Sequence, residues 1–242
     1  MINTNLILNV YKDRSLKSAL SSQLLYGEKF KIIKKFGKFI KIKTTYDNYI
    51  GYVKNKKFKK NFTPTHKVSS LSATLFRKPN KKFKLNKKIS FSSLIEVKNK
   101  KKNFLNFEKY WINKKDIMPI NKKISLFSKI KIFKNVKYKW GGNSFKGIDC
   151  SALVQIFYKF NNKFCPRDSK DQMKYFKKNV KLKKIKKNNL IFWKGHVAIC
   201  LSKKKLIHAY GPKKKVIVMP IDKTIKIIEK TANLKVKKIC RI

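Results

Sequence analysis

Cys150, His196 and His208 are the residues whose types and order could carry chemistry, because a thiol followed by two histidines can supply a nucleophile, its base and a group that orients the base. Cys150 stands in Gly147-Ile-Asp-Cys-Ser-Ala-Leu-Val-Gln155, where polar residues give way to an apolar segment. Leu153, Ile156, Phe157 and Phe160 recur at i, i+3, i+4 and i+7, the stripe of a helix that faces a core. Asp149 is a good N-cap residue, so Cys150 is expected in the first helical turn. There the unpaired backbone N–H groups and the helix dipole favour the thiolate, the form of cysteine that attacks carbonyls.

A nucleophile of this kind needs a base, and the chain has three histidines. His66 lies in Thr63-Pro-Thr-His66 and is expected in a linker. Gly195-His-Val-Ala-Ile-Cys-Leu201 and Leu206-Ile-His-Ala-Tyr210 read as two β-strands joined by a polar, lysine-rich turn. Side chains alternate faces along a strand, so loop length decides whether the two histidines meet. A three-residue loop, Ser202 to Lys204, puts both on one face; a two-residue loop does not. With the first, Cys150 is the expected nucleophile, His196 the general base and His208 the residue that holds the His196 ring. Cys165, Cys200 and Cys240 are expected to be buried structural thiols.

These residues also carry a family resemblance. Tyr138-Lys-Trp-Gly-Gly142, Gly147-Ile-Asp-Cys-Ser151, Pro166-Arg-Asp-Ser169, Leu190-Ile-Phe-Trp-Lys-Gly-His196 and Leu206-Ile-His-Ala209 resemble, in order and spacing, the motifs of the NlpC/P60 cysteine peptidases. The resemblance covers residues 122 to 242. It implies a papain-like α+β fold in which the cysteine opens a helix packed on an antiparallel sheet that carries the histidine. It implies a catalytic triad at Cys150, His196 and His208, and hydrolysis of the amide between γ-linked D-glutamate and a diamino acid in peptidoglycan stem peptides. It also implies that Tyr138, Asp149 and Ser151 help to hold the N-terminal L-alanine and the D-glutamate. Asp149 can serve as helix cap, as anchor for a free amine, or as both. Arg167 either grips a substrate carboxylate or decorates a proline-initiated turn in solvent. Two positions depart from the family pattern: Ala152 replaces the usual glycine, and Asn188-Asn precedes Leu190 where Gly-Asp is usual. Asparagine tolerates the left-handed turn that glycine otherwise supplies. The chemistry calls for no metal and no other cofactor.

The formal net charge of +53 would by itself suggest a nucleic-acid binder. Only Arg14, Arg77, Arg167 and Arg241 are arginines among 64 basic residues, and the lysines run through the whole chain without gathering in a tail or on one face. A dedicated phosphate site would favour arginine. Lysine, isoleucine and asparagine share A/T-rich codons, so compositional drift accounts for them together. No specific nucleic-acid partner is expected; salt-sensitive binding to polyanions at low ionic strength is.

Before residue 122 the texture is that of short strands. Residues 24–33, 38–43 and 49–53 alternate apolar and polar side chains, with Gly27, Gly37 and Gly51 at bends. Leu25-Tyr-Gly-Glu-Lys-Phe30 and Gly51-Tyr-Val53 resemble the bacterial SH3 domains found ahead of NlpC/P60 domains. A second cycle is expected from Lys67 to Ile120, with a strand pair at 89–97 and a closing strand at 110–112. Such domains could retain the protein on the wall or close one end of the cleft, with Glu28 and Tyr52 as contributors outside the principal site. The apolar run at Leu6-Ile-Leu8 is too short for a signal peptide, no stretch reaches membrane-span length, and four cysteines suggest free thiols in a reducing compartment. The expectation is therefore a cytoplasmic α+β cysteine peptidase, with SH3-like barrels at 1–62 and 67–120 and a catalytic domain at 122–242. Its partners would be peptidoglycan-derived peptides with a free N-terminus. The alternatives are an amidase or acyltransferase on the same fold, or an inactive wall- or polyanion-binding protein.

Overall fold

Alternation of apolar and polar residues governs the first half of the chain, and strands result. In the computed structural model, which describes residues 1–242, two units separate: Met1–Ile124 with Gly141–Phe145, and Ser125–Trp140 with Lys146–Ile242. The first unit is all β. Ile7–Tyr11 (β1), Leu20–Leu25 (β2), Phe30–Phe36 (β3), Phe39–Thr44 (β4) and Ile50–Lys54 (β5) form an antiparallel sheet in the order β2-β1-β5-β4-β3. Phe-Ile-Lys-Ile-Lys-Thr in β4 buries every second residue, and Ile40 and Ile42 join Leu8, Val10, Leu24, Phe30 and Val53 in one core. The bend expected at Gly27 separates β2 from β3, and the chain turns there with φ +85°. A Cβ there would lie 2.5 Å from the Leu94 carbonyl oxygen, so both the dihedral and the close approach require glycine.

His66–Val68 (β6), Leu94–Ile95 (β9) and Ile117–Pro119 (β13) form a three-stranded sheet. Ser72–Phe76 (β7), Lys84–Ser90 (β8), Asn99–Lys101 (β10), Phe104–Phe107 (β11) and Tyr110–Asn113 (β12) form a five-stranded one. They share a core that includes Val68, Leu75, Ile89, Ile95, Phe107 and Ile112. His66, expected in a linker, opens β6 and pairs with Ile95 and Pro119. The three residues of β6 are too few to show an alternating pattern. The short strand Asn143–Ser144 (β14) completes this unit.

The second unit joins Gly147–Ile148 (β15) to three α-helices, Cys150–Phe160 (α1), Ser169–Tyr175 (α2) and Ile221–Ala232 (α3), and to an antiparallel sheet. Leu190–Trp193 (β16), His196–Cys200 (β17), Lys205–Tyr210 (β18), Lys215–Pro220 (β19) and Lys238–Cys240 (β20) build that sheet in the order β19-β18-β17-β16-β20. Helix α1 is buried along nearly its whole length and packs against β17 and β18. Helix α3 places Ile221 and Ile228 against Ala198, Cys200, Leu206 and Tyr210 of the sheet. No helix is long and apolar enough to cross a membrane.

Two turns fix the strands that carry the histidines. Lys194 and Gly195 connect β16 to β17, with Trp193 paired to His196 and Gly195 at φ +75°. Nothing lies within 4 Å of a Cβ built at Gly195, so the obstacle to a side chain is the left-handed backbone alone. Gly195→Ala is expected to cost about 1–2 kcal/mol, read as a lowered urea midpoint with an unchanged slope. The expected asparagine turn also forms: Asn188 sits at φ +69°, and its N–H donates to the Cys200 carbonyl at 2.8 Å.

Candidate active site

Helix α1 begins as its sequence demands. Asp149 has an extended backbone, φ −93° and ψ 176°, and its Oδ1 accepts from the Ala152 N–H at 2.8 Å, which caps the helix. Cys150 is then the first helical residue and is buried. Its Sγ lies 4.0 Å from the Gly195 carbonyl oxygen. The backbone N–H groups of Val197 and Ser151 also act on the sulfur, so the thiol rests against the chain on both sides of His196. Burial, reinforced by the Asp149 charge, pushes the thiol pKa up to about 12, and these two N–H groups oppose the rise. The resting cysteine is a thiol, and the donors already face the place where negative charge would appear.

The loop between β17 and β18 is the three-residue one. Ile199 pairs with Ile207, Cys200 with Leu206, and the Leu201 N–H donates to the Lys205 carbonyl at 2.8 Å. The Ser202 hydroxyl accepts from the Lys204 and Lys205 N–H groups, which closes the turn. His196 and His208 therefore project from one face, diagonal to each other, with Nε2 of His196 2.9 Å from Nδ1 of His208. Tyr210 stacks on the His208 ring, centroids 4.7 Å apart and planes 11° apart, and Trp193 lies 5.6 Å from the His196 ring. Nε2 of His208 is buried without a hydrogen-bond partner.

Burial lowers both histidine pKa values below the ordinary 6.5, and for His208 the neighbouring His196 lowers it further. Both rings are neutral in the folded protein near pH 7, whereas the unfolded chain takes up their protons as the pH falls below about 6.5. The unfolded state then binds more protons, so the folding stability that neutral rings contribute is complete above that value and drains away as the pH drops toward the folded values. The melting temperature of the wild type is accordingly expected to fall between about pH 6.5 and pH 4, and less steeply in His208→Asn. Equal slopes in the two proteins would show that the histidine pair does not set this dependence.

Asp149, Ser151 and Arg167 form one buried cluster. Arg167 Nη2 meets Asp149 Oδ2 at 2.5 Å, and Nη1 meets Asp149 Oδ1 at 3.1 Å and Ser151 Oγ at 3.0 Å. Arg167 is 4% exposed, so it is not a solvent-facing turn residue. The Ser151 hydroxyl itself donates to Asp149 Oδ1 at 3.1 Å. Tyr138 is half-buried, and burial, then the Cys150 and Asp149 charges, push its hydroxyl pKa up to about 12. The structure thus gathers Tyr138, Cys150, Asp149, Ser151 and Arg167 at the α1 N-terminus, and it places His196 and His208 together on the sheet. Cys165, Cys200 and Cys240 are buried free thiols.

Two segments of the chain match known families. Residues 135–232 match the NlpC/P60 family, and residues 10–58 match the SH3 domain of bacterial dipeptidyl-peptidase. Residues 135–232 are an NlpC/P60 domain. The full chain is similar in fold to a solved NlpC/P60 family protein from Bacillus cereus, with a TM-score of 0.83 at 20% identity over 99% of this chain and 98% of that one. A γ-D-glutamyl-L-lysine dipeptidyl-peptidase of Bacillus subtilis is 24% identical over 86% of this chain and 78% of its own length. Dipeptidyl-peptidase 6 of Lysinibacillus sphaericus is 36% identical over 72 residues, and the match spans 27% of that enzyme. NlpC/P60 peptidases are cysteine-type hydrolases, and this domain has the α+β fold of that family behind an SH3-like all-β region.

Several residues around the candidate site were not singled out from sequence. Gln172 of α2 is buried and donates from Nε2 to the Ser151 and Pro166 carbonyls, each at 2.9 Å, which ties the start of α1 to the Arg167 segment. Tyr210 sits two residues after His208, so strand parity alone would have put its ring on the same face. Helix α3 walls a cavity beside His196, and its apolar spacing at Ile221, Ile225 and Ile228 was a readable signal.

Proposed function

We propose that this NlpC/P60 domain hydrolyses the amide between γ-linked D-glutamate and a diamino acid in peptidoglycan stem peptides that carry a free N-terminal L-alanine. The observation that carries the reading is the placement of the Cys150 thiol against Gly195 and Val197, on either side of His196, together with the 2.9 Å contact from His196 Nε2 to His208 Nδ1. For His196 to act as base through Nδ1, its Nε2 must carry a proton and donate it to His208. His208 then holds its own proton on Nε2 and fixes the His196 ring.

In the first half-reaction His196 takes the thiol proton as Sγ bonds to the D-glutamyl γ-carbonyl carbon. The oxygen takes up negative charge, and backbone N–H groups at the start of α1 stabilise it. Collapse breaks the C–N bond, and His196 returns the proton to the leaving amine. Water, deprotonated by His196, then attacks the thioester and releases the L-alanyl-D-glutamate portion as a free acid, and the proton returns to Cys150. Tyr138, Asp149, Ser151 and Arg167 hold the L-alanine and D-glutamate end through charge-assisted hydrogen bonds.

Residues 1–62 and 67–120 are two SH3-like barrels in this reading, residues 122–242 are the catalytic domain, and the role is recycling of wall peptides in the cytoplasm. The relatives named as γ-D-glutamyl-L-lysine dipeptidyl-peptidases support the substrate class. The test is to incubate the protein with L-Ala-γ-D-Glu-diaminopimelate and follow release of L-Ala-D-Glu. An inactive wild type, or a Cys150→Ala protein with undiminished activity, would sink the proposal.

A further inference from the structure

Lysines spread along the whole sequence do not stay evenly spread once the chain folds. Two cavities of about 540 Å³ each lie in the second unit, and neither is lined by Cys150, His196, His208, Asp149 or Arg167. Half of the ten residues around the first are cations: Lys181, Lys184, Lys186, Lys187 and Arg241. Lys187 also lines the second, with Lys131, Lys134 and Lys205. The two cavities adjoin, since the N–H of Asn188 in the first donates at 2.8 Å to the carbonyl of Cys200, the residue before Leu201 in the second. All of these cations are exposed, and neither lining holds an Asp or a Glu; the one acid offered there is the Ile242 α-carboxylate. The cavity beside His196 has two cations among its thirteen residues, so the concentration is local. Leu201 follows the end of β17 opposite His196, which sets the cationic groove roughly 17 Å along the strand from that ring.

The chemistry of the walls selects among anions. Lysine is a compact point charge on a flexible stem, which meets phosphate oxygens from many directions and lacks the planar fork that reads one fixed geometry. No ring is free for a base to stack on: the single aromatic wall, Phe127, is buried and packs against Phe157 and Tyr158. Single-stranded nucleic acid draws much of its binding from such stacking. A duplex, whose major groove alone is about 12 Å wide, is too broad to enter cavities of this size. We infer that the groove binds a slender linear polyphosphate, a chain of phosphates that carries no bases. Such a chain bears negative charge at every unit, so one molecule engages both cavities, and the counterions it gives up supply the affinity. Each exposed contact is individually weak, and the effect comes from their number. The assignment is independent of the peptidase reading, because it uses none of the residues of that site.

The probe is inorganic polyphosphate of about 15 units, labelled at one end and titrated with the full chain in about 0.15 M salt; oligouridylate with the same number of phosphates is the comparison. Polyphosphate is expected to bind about fivefold tighter or more, since nothing in the groove rewards a base. Lys184→Glu/Lys187→Glu/Lys205→Glu is expected to weaken polyphosphate binding by about tenfold or more and to flatten the dependence of log K on log salt. Lys31→Glu/Lys35→Glu/Lys100→Glu makes the same change in net charge at exposed strand positions of the first unit, and is expected to weaken binding by less than about threefold. Melting curves accompany each titration. Should the groove glutamates unfold the protein, Lys184→Gln/Lys187→Gln/Lys205→Gln replaces them, with a smaller loss of the same sign expected. Equal weakening by the groove set and the first-unit set would show that net charge alone holds the polymer, and would overturn the inference. Oligouridylate bound as tightly as polyphosphate would assign the groove to nucleic acid, which overturns it too, as does a wild type that binds no polyphosphate.

Discussion

Alanine at His196 is expected to lower kcat by roughly 10⁴-fold or more, alanine at Cys150 by about as much, and the two together by no more than either alone. Residues that act as one unit in bond-making fail as one unit, because a thiol held protonated by burial gives no nucleophile unless a neighbour takes its proton. Stopped assays on the L-Ala-γ-D-Glu peptides with single and double variants check this. Losses that multiply in the double variant would mean that the two residues act independently, and the scheme of proton transfer between them would be wrong. KM is expected to change little, since neither side chain is assigned to hold the peptide ends.

The second large effect is on stability. Arg167→Met is expected to destabilise the second unit by about 3–5 kcal/mol, because it strands the buried Asp149 carboxylate without its cation. That is a drop in melting temperature of about 10–20 °C. The companion double variant Arg167→Met/Asp149→Asn should recover a substantial part of the loss: asparagine can still cap α1 through its carbonyl oxygen, and no charge is left unpaired. If the double variant is as unstable as the sum of the two single changes, the pair is not coupled, and Arg167 contributes by packing alone. Activity should suffer even where the fold survives, since Asp149 and Ser151 flank Cys150 and Arg167 bonds to both.

Features determined by neighbours in the chain were legible from sequence. Asp149 capping a helix that opens at Cys150, an asparagine in the left-handed region at 188, and alternation in β4 all follow from a few consecutive residues and their backbone preferences. The histidine pair was legible only up to a choice. Its residues announce two strands, but whether the rings meet depends on one count, the number of residues between the strands. The Arg167–Asp149 pair spans 18 positions and depends on how α2 is held by Gln172, so no local pattern could choose between a buried and a solvated guanidinium. His66 was misplaced for the same reason, since a three-residue strand is defined by its partners at Ile95 and Pro119 and not by itself.

The Ser202–Lys204 loop is exposed and lysine-rich, the kind of segment in which insertions and deletions are ordinarily harmless. Here the two lysines can vary, but the length cannot, and Ser202 closes the turn through its hydroxyl. Removing one residue would shift the pairing by one and turn the His208 ring to the opposite face of the sheet, away from His196. A gene drifting toward lysine codons can rewrite Lys203 and Lys204 at little cost, while a frame-preserving loss of a single codon would part the His196 and His208 rings as completely as replacing one of them.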